Sequence, residues 1–209
     1  MQLLSSTLSL TRYRVGEKLC DPVMDTIRNG LKNNAIREID NDPAVKSTGW
    51  VPSDNPFQHD FDSADILFGT TVVFCLRIDK KTIPPKIVNK HYNTALKKRL
   101  AETEREHLSK NEKQKLKEEV LHRLYIRIPA TPSMYDLVWH YETGDLWFFS
   151  NLKEANEELE TLFATSFKVS LTRIFPYTAA QFISNLHGES LDVLHTVSPA
   201  VFTGGGRHA

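Results

Sequence analysis

Ten cationic side chains fall within about thirty positions: Lys97, Lys98, Arg99, Arg105, Lys110, Lys113, Lys115, Lys117, Arg123 and Arg127. Many weakly directional cations are what a phosphate backbone requires, because most of the affinity comes from released counterions. Six glutamates are interleaved with them: Glu102, Glu104, Glu106, Glu112, Glu118 and Glu119. Taken alone, this spacing favours a solvated helical pair laced with i,i+4 ion pairs. The lysines of the second half do not share one clean face.

A second set of residues is acidic. Asp60, Asp62 and Asp65 stand beside His59, and oxygen ligands so spaced can hold a hard cation. The segment lacks the glycine and the distal bidentate glutamate of a calcium loop, so a solvated loop is the expectation. A two-metal nuclease would need further carboxylates to converge, and nothing in the spacing of Asp79, Asp136 and Asp145 points to that. Gly-x-Ser-x-Gly, Cys-x-x-Cys and His-Glu-x-x-His are all missing from the sequence. No cofactor, metal or catalytic residue is expected. His91 lies beside an apolar stripe and reads as a partly buried, satisfied histidine. Trp50, Trp139 and Trp147 read as core, and so does Cys75 within Val72-Val73-Phe74-Cys75-Leu76.

The elements that must position these residues follow from periodicity. Leu4 to Tyr13 fits a first strand. Asp21-Pro22 opens a helix carrying Val23, Met24, Ile27 and Leu31. Ile66 to Ile78, rich in β-branched and aromatic residues, predicts a buried strand or hairpin. Pro84-Pro85 then starts a helix with Val88, Tyr92, Leu96 and Leu100 on one stripe, running to about His107. Ser109 with Glu112 is a capping box, so a second helix runs from Lys110 to about Leu124. Leu137–Tyr141 and Leu146–Phe149, joined through Gly144, predict a β-hairpin. Asn151 reads as the N-cap of a helix bearing Leu152, Ala155, Leu159, Leu162 and Phe163. Val169 to Phe175 reads as a last strand. The expected fold is α+β: an antiparallel-sheet body with packed helices, residues 1–79 and 130–183, and a projecting αα-hairpin arm, residues 80–129. Residues 184–209 are expected to be a partly flexible extension.

Composition is consistent with a globular chain but hides an arrangement. The 26 Lys+Arg and 26 Asp+Glu of the 209 residues cancel to zero net charge, which excludes a uniformly basic binder. Residues 80–127, however, carry a net +8, against −3 before them and −5 after. Two cysteines make no disulfide framework. The N-terminus lacks the basic start and apolar core of a signal peptide, and no apolar run is long enough to span a membrane. A cytoplasmic location is expected.

The stretch Ser109-Lys110-Asn111-Glu112-Lys113-Gln114-Lys115-Leu116-Lys117-Glu118-Glu119-Val120-Leu121-His122 closely resembles the signature of the RdgC family, bacterial recombination-associated DNA-binding proteins. The likeness includes Gly49-Trp50-Val51-Pro52, Cys75-Leu76-Arg77 and Ile83-Pro84-Pro85-Lys86-Ile87-Val88. Downstream it takes in the Trp139 strand, Gly144 and the Ala155-to-Leu162 helix, so that residues 1–176 follow the family pattern in order.

The resemblance implies a non-enzymatic protein that binds double-stranded DNA with little sequence preference. It implies a homodimeric ring around the duplex, nucleoid association and restriction of RecA access. Lys113, Lys115, Lys117, Arg123 and Arg127 are carried over as DNA-facing because they lie in or beside the matching segment. The sequence departs from the family at Ile126-Arg127-Ile128-Pro129, where only the Arg of Pro-Arg-Ala-Phe is kept. It reads as a short form lacking the C-terminal base domain. Two other functions compete: an adaptor whose arm pairs with a partner helix through Val88, Tyr92, Leu96 and Leu100, and, less favoured, a metal-dependent nuclease built on Asp60, Asp62 and Asp65.

Overall fold

The structure is a computed structural model that describes residues 7–16, 19, 21–184 and 189–196. Its order is β1 (Thr11–Val15), α1 (Val23–Asn33), β2 (Lys46–Pro52), β3 (Leu67–Phe68), β4 (Thr71–Lys80), α2 (Pro85–Thr103), α3 (Lys110–Arg127), β5 (Thr131–His140), β6 (Asp145–Phe148), α4 (Lys153–Phe167), β7 (Leu171–Ile174), α5 (Pro176–Ser184) and α6 (Glu189–Thr196).

Strict alternation organises the sheet. Val72, Phe74, Leu76 and Ile78 of β4 are buried on one face with Leu137 and Trp139 of β5 and Leu146 and Phe148 of β6. The strands run antiparallel in the spatial order β2-β4-β5-β6-β1-β7, and β3 folds back on the start of β4. α1 and α4 cover the apolar face with Ile27, Leu31, Ala155, Leu159, Phe163 and Phe167. Trp139 meets Phe163 edge-on at 5.0 Å, and Trp50 meets Phe74 at 5.2 Å. Such pairs add about 1 kcal/mol to the burial itself. The fold is α+β, as expected.

On the opposite face, residues 35–42 lie against β2 and β4. Ile36 packs on Val51 and Cys75, and its amide donates to the Trp50 carbonyl at 3.0 Å. Arg77 and Asp79 are buried there as an ion pair at 2.8 Å, extended by Glu38 at 3.0 Å. A Cβ at Gly49 would come within 2.4 Å of the Ile36 backbone, so this crossing requires glycine.

The helical hairpin α2–α3 is inserted between neighbouring strands. Lys80, at the end of β4, and Thr131, at the start of β5, are register partners. Val88, Val120 and Leu124 form its small apolar seam, with Ile83, Ala95 and Leu121 alongside. Ser109 and Glu112 make the expected capping box: Ser109 Oγ accepts from the Glu112 amide, and Glu112 accepts from the Ser109 amide at 2.8 Å. This holds the Glu112 carboxyl below its ordinary range.

Several boundaries differ from the sequence reading. β1 starts at Thr11; Leu4 lies outside the described residues, and 7–10 are irregular. α2 ends at Thr103 rather than near His107, because Glu104 adopts the left-handed conformation (φ 50°). α3 continues to Arg127. The cap of α4 is not Asn151. Helix α4 begins at Lys153, and its entry is held by Ser150 Oγ, which accepts from the Leu152 amide, and by Asn156, which donates to the Leu152 carbonyl. His91 is exposed rather than partly buried. Trp50 and Trp139 are core at 0% and 1% exposure, but Trp147 is 38% exposed because it lies on the face away from α1 and α4. Of the C-terminal extension, Ser184 and α6 fall within the described residues. Among the described residues, no helix is long and apolar enough to cross a membrane.

Candidate nucleic-acid interface

All ten cationic residues singled out in the sequence lie on α2, α3 or their connection, and all are exposed. Helical geometry divides them into groups with different electrostatic surroundings. The first lines an open groove of about 860 Å³ between the two helices. Lys98, Arg99, Arg123 and Arg127 border it with His91 and His122, but so do Glu102, Glu118 and Glu119. Arg99 pairs with Glu119 at 3.3 Å and Lys98 with Glu102 at 3.8 Å. Arg123 Nε donates to the Glu119 carbonyl at 3.3 Å.

Near the connection, Arg105 is engaged by Glu112 at 3.4 Å. Lys115 borders a smaller cleft of about 180 Å³, shared with Arg99, Glu112 and Glu119. Glutamates thus engage Lys98, Arg99 and Arg105, but only Lys98–Glu102 is the i,i+4 pair that spacing suggested; Arg99 and Arg105 are reached across the hairpin and its connection.

The remaining lysines are arranged differently. Lys110, Lys113 and Lys117 are spaced i, i+3, i+7, which places them on one strip of α3. Lys97 lies on the outward side of α2, in line with Lys86 and Lys90 at i, i+4, i+11. Among the described residues, none of these six ammonium groups lies within 4.0 Å of a carboxylate. The row Lys86-Lys90-Lys97 spans about 16 Å of helix and includes no acidic residue. Lys97 belongs to the dense run of cations that the sequence displays, whereas Lys86 and Lys90 lie outside it; the signal that finds them is helical phase.

Two cations of the basic segment are engaged by the body instead. Lys80 pairs with Glu154 on α4, and Lys81 is buried at 3% exposure. Both joined the +8 tally, and neither adds to the arm's exposed surface.

The acidic residues are dispersed in their engagements. Asp60 accepts from the Asp62 amide at 2.8 Å and the Ser63 hydroxyl at 3.1 Å, and the Asp62 bond above all holds its carboxyl below its usual range. Asp62 pairs with Lys32. Asp79 binds Arg77, Asp136 accepts from the Cys75 thiol, and Asp145 faces Arg14. Among the described residues, no three His, Cys, Asp or Glu side chains converge as a metal would require.

The model of a family described as "Putative exonuclease, RdgC" matches residues 9–175 of this chain. The chain belongs to the RdgC family. The RdgC match runs from just before β1 through the whole helical hairpin to just beyond β7, so it contains every side chain of the candidate interface. No individual curated protein matches the chain. RdgC membership supports a recombination-associated, DNA-binding role at the level of the family; "exonuclease" is the family's description.

Proposed function

We propose that this RdgC-family chain is a non-enzymatic, sequence-independent DNA-binding protein of the cytoplasm and nucleoid. It acts as a homodimer in recombination or replication, encircling or coating duplex DNA and limiting RecA access. Residues 80–129 are the DNA-contacting arm, and residues 1–79 and 130–183 are the body that carries it. The observation that carries this reading is the set of exposed lysines without carboxylate partners on α2 and α3, within a chain whose other parts are net acidic. A cation already paired must surrender its glutamate to bind phosphate, whereas an unpaired lysine exchanges only small ions.

The test is duplex affinity measured against salt. Log affinity is expected to fall linearly with log salt, by roughly 0.9 per neutralised phosphate, and equally for unrelated sequences. A flat plot would sink the proposal. Replacing Lys110, Lys113 and Lys117 with Glu should weaken every duplex alike. Sedimentation with and without duplex reads the homodimer at the same time. DNA incubated with magnesium or manganese should stay intact; cleavage would restore the nuclease reading. If the protein slows RecA-driven strand exchange in proportion to DNA coverage, the antagonism stands; an unchanged rate at full coverage refutes it.

The adaptor reading keeps one specific observation in its favour. Tyr92, Leu96 and Leu100 are only half-buried, and Ile87 is 40% exposed. Self-association that persists at high salt, with no DNA binding, would select it.

A further inference from the structure

Only two chain crossings join the helical hairpin to the sheet: residues 81–84 on entry and 128–130 on exit. Two short linkers leave a hairpin free to swing unless something else holds it. At this junction lies Lys81, whose side chain is buried although it belongs to the most basic part of the chain. Its ammonium donates to three backbone carbonyls: Asp40 at 3.1 Å, Asp42 at 2.8 Å and Tyr125 at 2.6 Å. An ammonium has three donors, so its donor capacity is matched.

The acceptors come from two places. Asp40 and Asp42 belong to the segment that follows Ile36 and Ile39 across the sheet, and the Lys81 amide is tied to the same region through the Val45 carbonyl at 2.9 Å. Tyr125 is in the last turn of α3, where helical carbonyls lack intrahelical donors and the helix dipole favours a cation. The Asp40 carboxylate adds a bond on the exit side, accepting from the Ala130 amide at 2.8 Å. Lys81 and Asp40 therefore link the 40–42 segment, the entry linker, the end of α3 and the exit linker.

We infer that Lys81, supported by Asp40, is a positioning residue that fixes the angle of the helical hairpin relative to the sheet, and that DNA binding by the hairpin depends on it. The second clause rests on the DNA-binding reading above; the first does not. A buried cation is costly unless every donor is used. An apolar residue of similar length would fill the site, so burial alone does not account for lysine here. What lysine supplies is a directional tie to the Tyr125 carbonyl.

The test uses the full chain in a Cys20→Ser background, with nitroxides at Glu106→Cys in the α2–α3 connection and Glu142→Cys in the β5–β6 turn. Lys81→Met should broaden the label-to-label distance distribution, while the near-ultraviolet signal of Trp50 and Trp139 stays intact. Lys80→Met, which removes a neighbouring surface pair, should leave the distribution narrow. If Lys81→Met does not fold, Lys81→Gln, whose shorter uncharged amide cannot make all three bonds, is read by the same criterion; Asp40→Ala, which removes only the exit-side bond, tests the supporting role and should broaden the distribution less. Should the orienting bond hold the hairpin in its binding angle some ten times more often than its loss allows, duplex affinity falls about tenfold. A distribution as narrow as that of the parent overturns the inference. Broadening without loss of affinity, in a protein whose parent binds DNA, overturns the dependence of DNA binding on Lys81. If the parent binds no DNA, the functional reading fails while the distances still decide the orientation.

Discussion

Two residues show how a side chain's surroundings, more than its type, decide what it can do. Cys75 is 2% exposed, and its thiol donates to Asp136 Oδ1 at 2.8 Å. Burial first, and the neighbouring carboxylate second, push its pKa well up. A thiolate is the reactive species, so in a Cys20→Ser protein a thiol reagent at pH 8 should label Cys75 only after denaturation; labelling at the free-thiol rate in the folded state would refute this. Gly49 illustrates the opposite constraint. Gly49→Ala places a methyl against main chain that cannot rotate aside, and overpacking of this kind costs roughly 3 kcal/mol. A urea midpoint unchanged by the substitution would contradict the geometry. The burial of Cys75 was legible in the sequence, because it sits in an apolar, β-branched run. The need for glycine at 49 was not, because the atoms it avoids belong to Ile36, thirteen positions earlier and brought alongside by long-range pairing.

At the scale of elements, the second arm helix was the most legible part of the chain, since its start is written locally. A serine three residues before a glutamate specifies two reciprocal bonds, and both are present. The end of α2 was not legible: the residue that breaks it is Glu104 in a left-handed conformation, where a glycine would have been the readable signal. The cap makes a pH-dependent prediction. Because the folded Glu112 carboxyl is depressed, chiefly by Ser109, its contribution is complete above the usual glutamate range and is lost as pH falls below it and the group protonates. Amide exchange, corrected for its intrinsic pH dependence, should therefore show protection of the first turn of α3 falling selectively on acidification. In Ser109→Ala, where one reciprocal bond is gone, that turn should exchange about five- to tenfold faster at neutral pH, matching a cap worth about 1 kcal/mol. Equal exchange in the two proteins would mean the box does not hold the turn.

For the whole molecule, zero net charge is the sum of a basic hairpin and two acidic flanks, and that segregation was visible in the sequence. Which cations remain available was not visible, because pairing depends on helix phase and on the approach of α3 to α2. Arg99 and Glu119 are twenty positions apart yet 3.3 Å from each other, whereas Lys86, Lys90 and Lys97 share a row free of acids. This difference separates two variants that remove charge from the same hairpin. Lys86, Lys90 and Lys97 changed together to Gln should lower the salt slope of duplex binding by about 2 to 3, since each bare ammonium that meets a phosphate carries roughly 0.9. Arg99→Gln should change it by well under 1, because binding through Arg99 must first break its bond to Glu119 and little counterion release is left to lose. Measured at several salt concentrations on one duplex, the two slopes rank the outward face of α2 against the interhelical groove. If Arg99→Gln produced the larger change, DNA would lie in the groove and its ion pairs would open on binding.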